Sequence, residues 1–331
     1  MILETRDVAV FGGGLWGAVL AQHLSQARPR PRVRLWEFFP KAAADLARTR
    51  RHPHIPGFRL DPRVTVTSDL AAAAVGANIL LIVLPSQAVR ATARALAKIM
   101  GSARPLIVNA SKGVEPGTLR TMGDILGEEL PHTAVYTLSG PSFAREVARG
   151  VPTKLVLAGP PGHAQPLRRL FHGGAVSVSL STDRRGVELG GSLKNVLAIG
   201  AGILDGMKAG GNTKAALLVE GMHEMGALIA AAGGKRETMY GLSGLGDLIL
   251  TGTGGESRNR AFGEKLGQGM TPERALREIP TVVEGAEAAV SALALARRCK
   301  VRVPVIEAVH AAVQRGKPAA GVLKALGFSP I

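Results

Sequence analysis

Three consecutive glycines stand at the mouth of a helix in VAVFGGGLWGAVLAQHL, residues 8–24, and few features narrow a chain's choices more. Glycine lowers the stability of a strand or helix interior by roughly 0.5–1 kcal/mol against alanine, so a cluster at an element boundary signals a very tight turn with something pressed against its backbone. Gly12, Gly14 and Gly17 keep G-x-G-x-x-G spacing, with Val8–Phe11 as the strand before and Trp16–Ala27 as the helix after. A helix starting there offers free N–H groups and the positive end of its dipole to a pyrophosphate. RVRLWE, Arg32–Glu37, reads as a second strand ending in an acid 20 residues after Gly17, where a dinucleotide site reads the adenosine ribose. A glycine-rich loop without a ligand remains the other reading of the glycines alone. The two features together predict dinucleotide binding.

Strand-like runs recur at Val64–Thr67, Ile79–Leu84, Leu106–Ala110, Ala134–Leu138, Leu155–Leu157 and Val176–Leu180, with helices or turns between most of them. This alternation predicts an α/β fold, a doubly wound Rossmann-type sheet that is largely parallel. After STDRRG, residues 181–186, the texture changes to long Ala/Leu/Gly-rich helical stretches with no convincing strand. A chain of 331 residues is long enough for two domains. The expected division is a cofactor-binding domain over 1–182 and an all-helical domain over 183–331.

Composition excludes several classes. Apolar residues make up 46% and charged ones 20%, the balance of a globular chain and not of a disordered one. Basic residues outnumber acidic ones 41 to 25, and the resulting +16 suits anionic small substrates, nucleic acid or an anionic membrane face. Aromatic content is only 4%, with no run that interleaves aromatics with Lys or Arg, so no nucleic-acid partner is expected and most of the basic residues read as a solvated surface. The single cysteine, Cys299, cannot form an internal disulfide, which fits a reducing, cytoplasmic setting. The opening MILETRDVAV holds too short an apolar run for a signal peptide, and ANILLIVLP, residues 77–85, is less than half of the about 20 residues that span a bilayer. It reads as a buried strand, and no transmembrane segment is expected. His23, His52, His54, His132, His163, His172, His223 and His310 show no zinc spacing, so no metal site is assigned; P-loop and G-x-S-x-G motifs are absent as well.

Candidate chemistry follows the strands, because ligands of open α/β sheets bind at their C-terminal ends. NASKGVE, residues 109–115, supplies Lys112 on a loop, which could equally be a surface lysine. LSGPSFAREV, residues 138–147, shapes a turn at Gly140 and Pro141 and offers Ser142 near a helix start, where an ordinary N-cap is the alternative. The second domain opens with VELGGSLKNVLAIGAGILDGM, a helix apolar nearly all round, in which Lys194 and Asn195 are the conspicuous polar residues. Burial disfavours the charged ammonium and tunes a lysine toward general acid/base work; a lysine snorkelling to the edge is the competing reading. GLSGLGDLILTGTGGESRNRAFG surrounds the isolated Asp247 with glycines and sets Ser257, Arg258, Asn259 and Arg260 at an apparent helix start. Hydroxyl, guanidinium, amide and free helix N–H groups suit a phosphate, and a mobile basic loop is the alternative.

The set GGGLWG, PSQ, SKG.E, GPSFA.E, LKN…AGI.DG…GNTKAAL, GL.G.GDL..T, SRNR and VVEG resembles, in order and spacing, the soluble NAD(P)-dependent glycerol-3-phosphate dehydrogenases, from about residue 8 to beyond residue 285. The resemblance implies interconversion of dihydroxyacetone phosphate and sn-glycerol 3-phosphate, a supply for glycerophospholipid synthesis, by a cytoplasmic homodimer. It implies Lys194 as proton donor and acceptor, Asp247 as the group that holds and polarises it while contacting substrate, Lys112 as a third catalytic residue, and Lys112, Gly140 and Ser142 lining the same pocket. Ser257, Arg258 and Asn259 would grip the phosphate. Gly12, Gly14, Leu15, Trp16, Gly17, Glu37, Phe38, Lys112, Ala144, Arg258, Val282 and Glu284 would contact the cofactor, and the protein supplies proton shuttle, clamp and alignment around it. WEFF places Glu37 and Phe38 where the family often has a small residue and then Arg or His. Glu37 therefore favours NAD(H), with NADP(H) as the alternative should Arg34 and Lys41 pair with a 2′-phosphate. Gly211-Asn212 stands in place of the family's Asp-Asn. A β-hydroxyacid or 6-phosphogluconate type of dehydrogenase and a non-catalytic dinucleotide sensor are the competing readings, neither of which calls for the whole set from Lys194 to Asn259.

Overall fold

The computed structural model describes residues 7–279, 282–316 and 319–328. Most of the opening segment read for a leader lies outside them. The chain folds as two compact units, one running to Lys112 and resuming over Met122–Arg184, the other made of Gly113–Thr121 and the chain from Arg185 onward.

The first unit is a sheet of eight strands: β1 (Asp7–Phe11), β2 (Arg32–Trp36), β3 (Thr65–Thr67), β4 (Ile79–Ile82), β5 (Leu106–Asn109), β6 (Val135–Ser139), β7 (Thr153–Ala158) and β8 (Val176–Ser181). Their order is β3-β2-β1-β4-β5-β6-β7-β8, parallel throughout except that β6 and β7 run antiparallel. Each strand-like run in the sequence falls on one of them. The helices are α1 (Leu15–Ser25), α2 (Pro40–Thr49), α3 (Leu70–Ala74), α4 (Ser86–Met100), α5 (Met122–Glu129), α6 (Ala144–Ala148) and α7 (Ala164–Phe171).

Strand parity explains the layers. Val8, Val10, Ile79 and Leu81 point to one face, where Leu20 and Leu24 of α1 and Leu167 and Leu170 of α7 cover them. Ala9, Phe11, Leu80 and Ile82 point to the other, under Val89 and Leu96 of α4 and Ile125 of α5. Burial on both faces turns β1 and β4 into unbroken apolar runs, the signature of a covered parallel sheet. Chain order reverses between β1 and β4, so the glycine loop after β1 opens at the switch point where such sheets take ligands.

The second unit is helical: α8 (Arg184–Gly206, its first residue in the other unit), α9 (Gly210–Ala231), α10 (Asp247–Thr253), α11 (Arg258–Gly267), α12 (Pro272–Arg277), α13 (Glu284–Cys299), α14 (Pro304–Arg315) and α15 (Ala320–Ala325). No strand occurs among its described residues after Arg185. Every residue of α8 from Gly186 to Leu204 is buried. Among the described helices α8 is the one long and apolar enough to cross a membrane, and it serves instead as the axis of this core, against Leu228, Phe262, Leu293 and Ile306. The excursion Gly113–Thr121 is tied to it: Ser192 Oγ accepts from Gly113 N at 2.8 Å, and Thr121 Oγ1 donates to the buried Glu188 at 2.7 Å.

Candidate active site

In the first unit Gly12, Gly13 and Gly17 each have a steric reason of their own, and Gly14 has none. A Cβ on Gly12, whose φ is +118°, would lie 2.2 Å from the Val83 carbonyl oxygen, and one on Gly17 would lie 1.8 Å from that of Gly12. These two positions make the tight turn and let α1 pack onto it. Gly14 caps α1 and faces open space, with no side chain on the helix's first N–H groups and no acid in its first turn. That leaves a cradle a pyrophosphate fits. Gly13, which the motif does not explain, makes room for the second strand's acid: its Cβ would fall 2.5 Å from Glu37 Oε2. Glu37 Oε1 also accepts from Phe39 N at 3.0 Å, so its carboxylate is held beside the loop. Leu15 and Trp16 open α1, and Phe38 is 66% exposed, its ring edge-on to Trp36 at 5.9 Å.

Arg34, named above as an alternative partner for a 2′-phosphate, is engaged elsewhere. It shares the parity of Trp36 and points to the α3 side, where its guanidinium donates to the carbonyls of Ala72 and Val75 at 3.2 and 2.5 Å, beside Asp7. The cation serves the C-terminal end of α3 and is spent there. Lys41, at the start of α2, is exposed.

The loops after β5 and β6 are stiffened locally. Asn109 and Ser111 exchange two hydrogen bonds, 3.1 and 3.0 Å, and Ser111 Oγ accepts from Leu84 N at 2.8 Å, which fixes the loop that carries half-buried Lys112. Gly140 has φ +134° and lies against the β7 backbone, 3.1 Å from Lys154 O to its would-be Cβ. Ser142 caps nothing: α6 begins at Ala144 with Phe143 as its cap, and Ser142 Oγ donates to Gly140 O at 3.1 Å. Ser139 Oγ is buried with no hydrogen-bond partner.

In the second unit the Lys194 ammonium stays inside, 3% exposed, and does not snorkel. Its Nζ donates to Asp247 Oδ1 at 3.1 Å and to Thr251 Oγ1 at 3.3 Å, while the Thr251 hydroxyl donates to the Asp247 carbonyl one turn back along α10. A π-helical turn, Leu242–Gly246, delivers Asp247 to the start of α10. Next along α8, Asn195 Nδ2 donates to Glu284 at 3.4 Å, and Asn259 Oδ1 accepts from Gly285 N at 2.9 Å, so the start of α13 is fastened to α8 and α11 together. Ser257 caps α11, its Oγ accepting from Arg260 N at 3.2 Å, and Arg258, the first residue of that helix, is exposed. Val282 is 52% exposed.

Family profiles resolve what this pairing of a glycine cradle with a buried lysine belongs to. The NAD-dependent glycerol-3-phosphate dehydrogenase N-terminus matches residues 7–164 and the C-terminus of the same family residues 183–324. The chain belongs to that family. A glycerol-3-phosphate dehydrogenase [NAD(P)+] of Geobacter sulfurreducens is 43% identical over 322 residues, 95% of each chain, and one of Thioalkalivibrio sulfidiphilus is 44% identical over 320 residues, 96% of this chain and 95% of the other. The crystal structure of glycerol-3-phosphate dehydrogenase from Coxiella burnetii superposes with a TM-score of 0.91 at 34% identity over 98% of both chains. Membership sets aside the β-hydroxyacid type of dehydrogenase.

Two features of this dehydrogenase-family chain escape a reading of its sequence. Thr251, the closing residue of GL.G.GDL..T, is a second acceptor for Lys194, a role signalled only by its i, i+4 spacing from Asp247 on one short helix. The other is the meeting of α8 and α11. A Cβ on Gly202 or Gly206 would lie 2.0 or 2.1 Å from the carbonyl oxygens of Arg260 and Glu264, and one on Gly263 or Gly267 would lie 2.0 or 2.2 Å from those of Ile199 and Ile203. Four glycines thus bring two backbones into direct contact, and the contacts advance together, so the helices run parallel.

Proposed function

We propose that the chain interconverts dihydroxyacetone phosphate and sn-glycerol 3-phosphate with a nicotinamide dinucleotide, residues 1–182 taking the cofactor and 183–331 the proton and phosphate chemistry. The observation that carries this reading is the dehydrated Lys194–Asp247–Thr251 cluster, at the positions the family resemblance gives to proton transfer. The bound cofactor would supply the hydride. Lys194 then hands its proton to the ketone oxygen as negative charge gathers there and takes it back in the reverse direction. Asp247 favours the ammonium and Thr251 orients it. Ser257, Arg258 and Asn259 take the phosphate, where free N–H groups of α11 and a charge-assisted guanidinium act together. The likeness also gives Lys112, Gly140 and Ser142 to the substrate.

Gly12, Gly14, Leu15, Trp16 and Gly17 would hold the pyrophosphate and Glu37 and Phe38 the adenosine, with Lys112, Ala144, Arg258, Val282 and Glu284 as further cofactor contacts. The Glu37 carboxylate supports NAD(H) over NADP(H), since it accepts from a ribose hydroxyl and repels a phosphate. The remaining elements of the proposal are a cytoplasmic homodimer and glycerol 3-phosphate destined for glycerophospholipid synthesis. The deciding assay mixes purified protein with dihydroxyacetone phosphate and NADH or NADPH and follows the absorbance of the reduced nicotinamide; no loss with either cofactor overturns the reading.

A further inference from the structure

Asp205 stands in the last turn of α8, where an acid meets the negative end of the helix dipole. Two cations offset this: Lys214 of α9 and Arg260 of α11 both pair with its carboxylate. Arg260 does more than neutralise. Its Nε donates to the carbonyl of Gly254, the residue that ends α10, at 3.3 Å, and its own N–H is the one that Ser257 caps. One guanidinium therefore ties the end of α8, the end of α10 and the start of α11, and spans the turn from Gly254 to Ser257. Arg258, two residues away, makes no ion pair among the described residues, so the cations near this helix start are sorted: Asp205 takes two and leaves Arg258 outward.

We propose that Asp205, acting through Arg260, is a positioning residue that holds the Gly254–Ser257 turn so that Ser257, Arg258 and the first N–H groups of α11 face the substrate's phosphate. The proposal rests on the function argued above for those residues. The sequence hints at it only as an acid in AGILDG, a lysine in GNTKAAL and an arginine after SRN, with nothing to link them.

Two variants test it. Asp205→Asn keeps an acceptor and loses the charge. Arg260→Lys keeps a charge opposite Asp205 but lacks the planar fork that reaches Asp205 and the Gly254 carbonyl at once. Both are expected to raise KM for dihydroxyacetone phosphate by roughly tenfold, the scale of one misplaced charge-assisted bond, with kcat within about threefold. In the substrate-free proteins, amide hydrogen exchange over residues 254–258 is expected to quicken by about tenfold while the middle of α8 keeps its protection. Unchanged KM in both variants overturns the proposal, and so does unchanged exchange at 254–258. A fall in kcat together with lost protection along α8 also overturns it, because Asp205 would then be holding up the core and not the turn. Quickened exchange at 254–258 in the variants of a parent that does not reduce dihydroxyacetone phosphate supports Asp205's hold on the turn and counts against the proposed function alone.

Discussion

Lys194 Nζ lies 3.1 Å from Asp247 Oδ1, with the two side chains 4% and 3% exposed, so the charges answer to each other and not to water. Such a pair is asymmetric in its response. Removing one partner takes the opposite charge away from the other in a dry interior, whereas replacing both with apolar residues of similar volume is often close to neutral.

The first prediction separates chemistry from stability on that basis. Lys194→Met should lower turnover by roughly 10²–10⁴-fold, the loss of a general acid, with cofactor affinity unchanged. It should also destabilise the fold by up to about 3–5 kcal/mol. Lys194→Met/Asp247→Leu should regain most of the stability and none of the turnover. A double variant as active as the parent would remove Lys194 from the mechanism.

The second concerns the exposed cation at the start of α11. A charge-assisted bond to phosphate contributes about 1.5–3 kcal/mol, so Arg258→Ala should raise KM for dihydroxyacetone phosphate at least tenfold. Dihydroxyacetone without its phosphate should be a poor substrate for both proteins, and steady-state kinetics on the pair of substrates checks this.

Cofactor choice is the third. A carboxylate about 4 Å from a phosphate is repelled by about 4 kcal/mol per pair of unit charges at an effective dielectric of 20. Glu37 is only half-buried, and solvent trims that figure. With Arg34 committed to α3, exposed Lys41 alone offers about 1 kcal/mol in return. NADH should therefore be preferred, and Glu37→Ser should move the ratio of kcat/KM values toward NADPH while Arg34→Ala leaves it where it is. A parent that prefers NADPH would show that Glu37 is not the selector.

The fourth is a pH dependence of stability. Glu224 of α9 accepts from Val305 N at 2.6 Å and Ile306 N at 3.0 Å, closing the first turn of α14, which has no side-chain cap of its own. Burial pushes its carboxyl up to about 7 against the pull of those two bonds, with Glu307 and Glu220 adding repulsion. The folded protein then holds a proton that the unfolded chain, near 4.5, has released. Its contribution is complete below about pH 4.5 and is lost as pH rises toward 7, about 1–3 kcal/mol in all. Urea midpoints at about pH 5 and about pH 8 should differ by less in Glu224→Gln, which keeps one acceptor and cannot ionise.

What was legible was what is local. G-x-G-x-x-G, the β-branched runs and a lysine inside an apolar helix each declare themselves within a few residues, because a turn, a strand and a desolvated charge are short-range facts. The direction of Arg34 is not legible, because proximity along the chain says nothing about parity, and parity turns it to α3. Gly13 and the glycines of α8 and α11 were opaque for a related reason: a missing Cβ records a neighbour, and that neighbour is Glu37 in one case and a carbonyl some sixty residues away in the others. Thr251 needed the position of Lys194 in space before its hydroxyl meant anything.

Because α8 and α11 touch through their main chains, nothing adjustable lies between them. Their parallel register puts Arg258 about one turn beyond the level of Lys194, ~5 Å of axial rise. With the roles proposed for those two residues, the helix pair acts as a calliper set to the gap between a carbonyl carbon and a phosphorus three bonds away from it. Rotamers of Lys194 and Arg258 can trim the reach at either end, but they cannot change the spacing of the two backbones that carry them. Gly263→Ala, which forces the jaws apart by a methyl group, should blunt discrimination between phosphates of different chain length before it abolishes turnover.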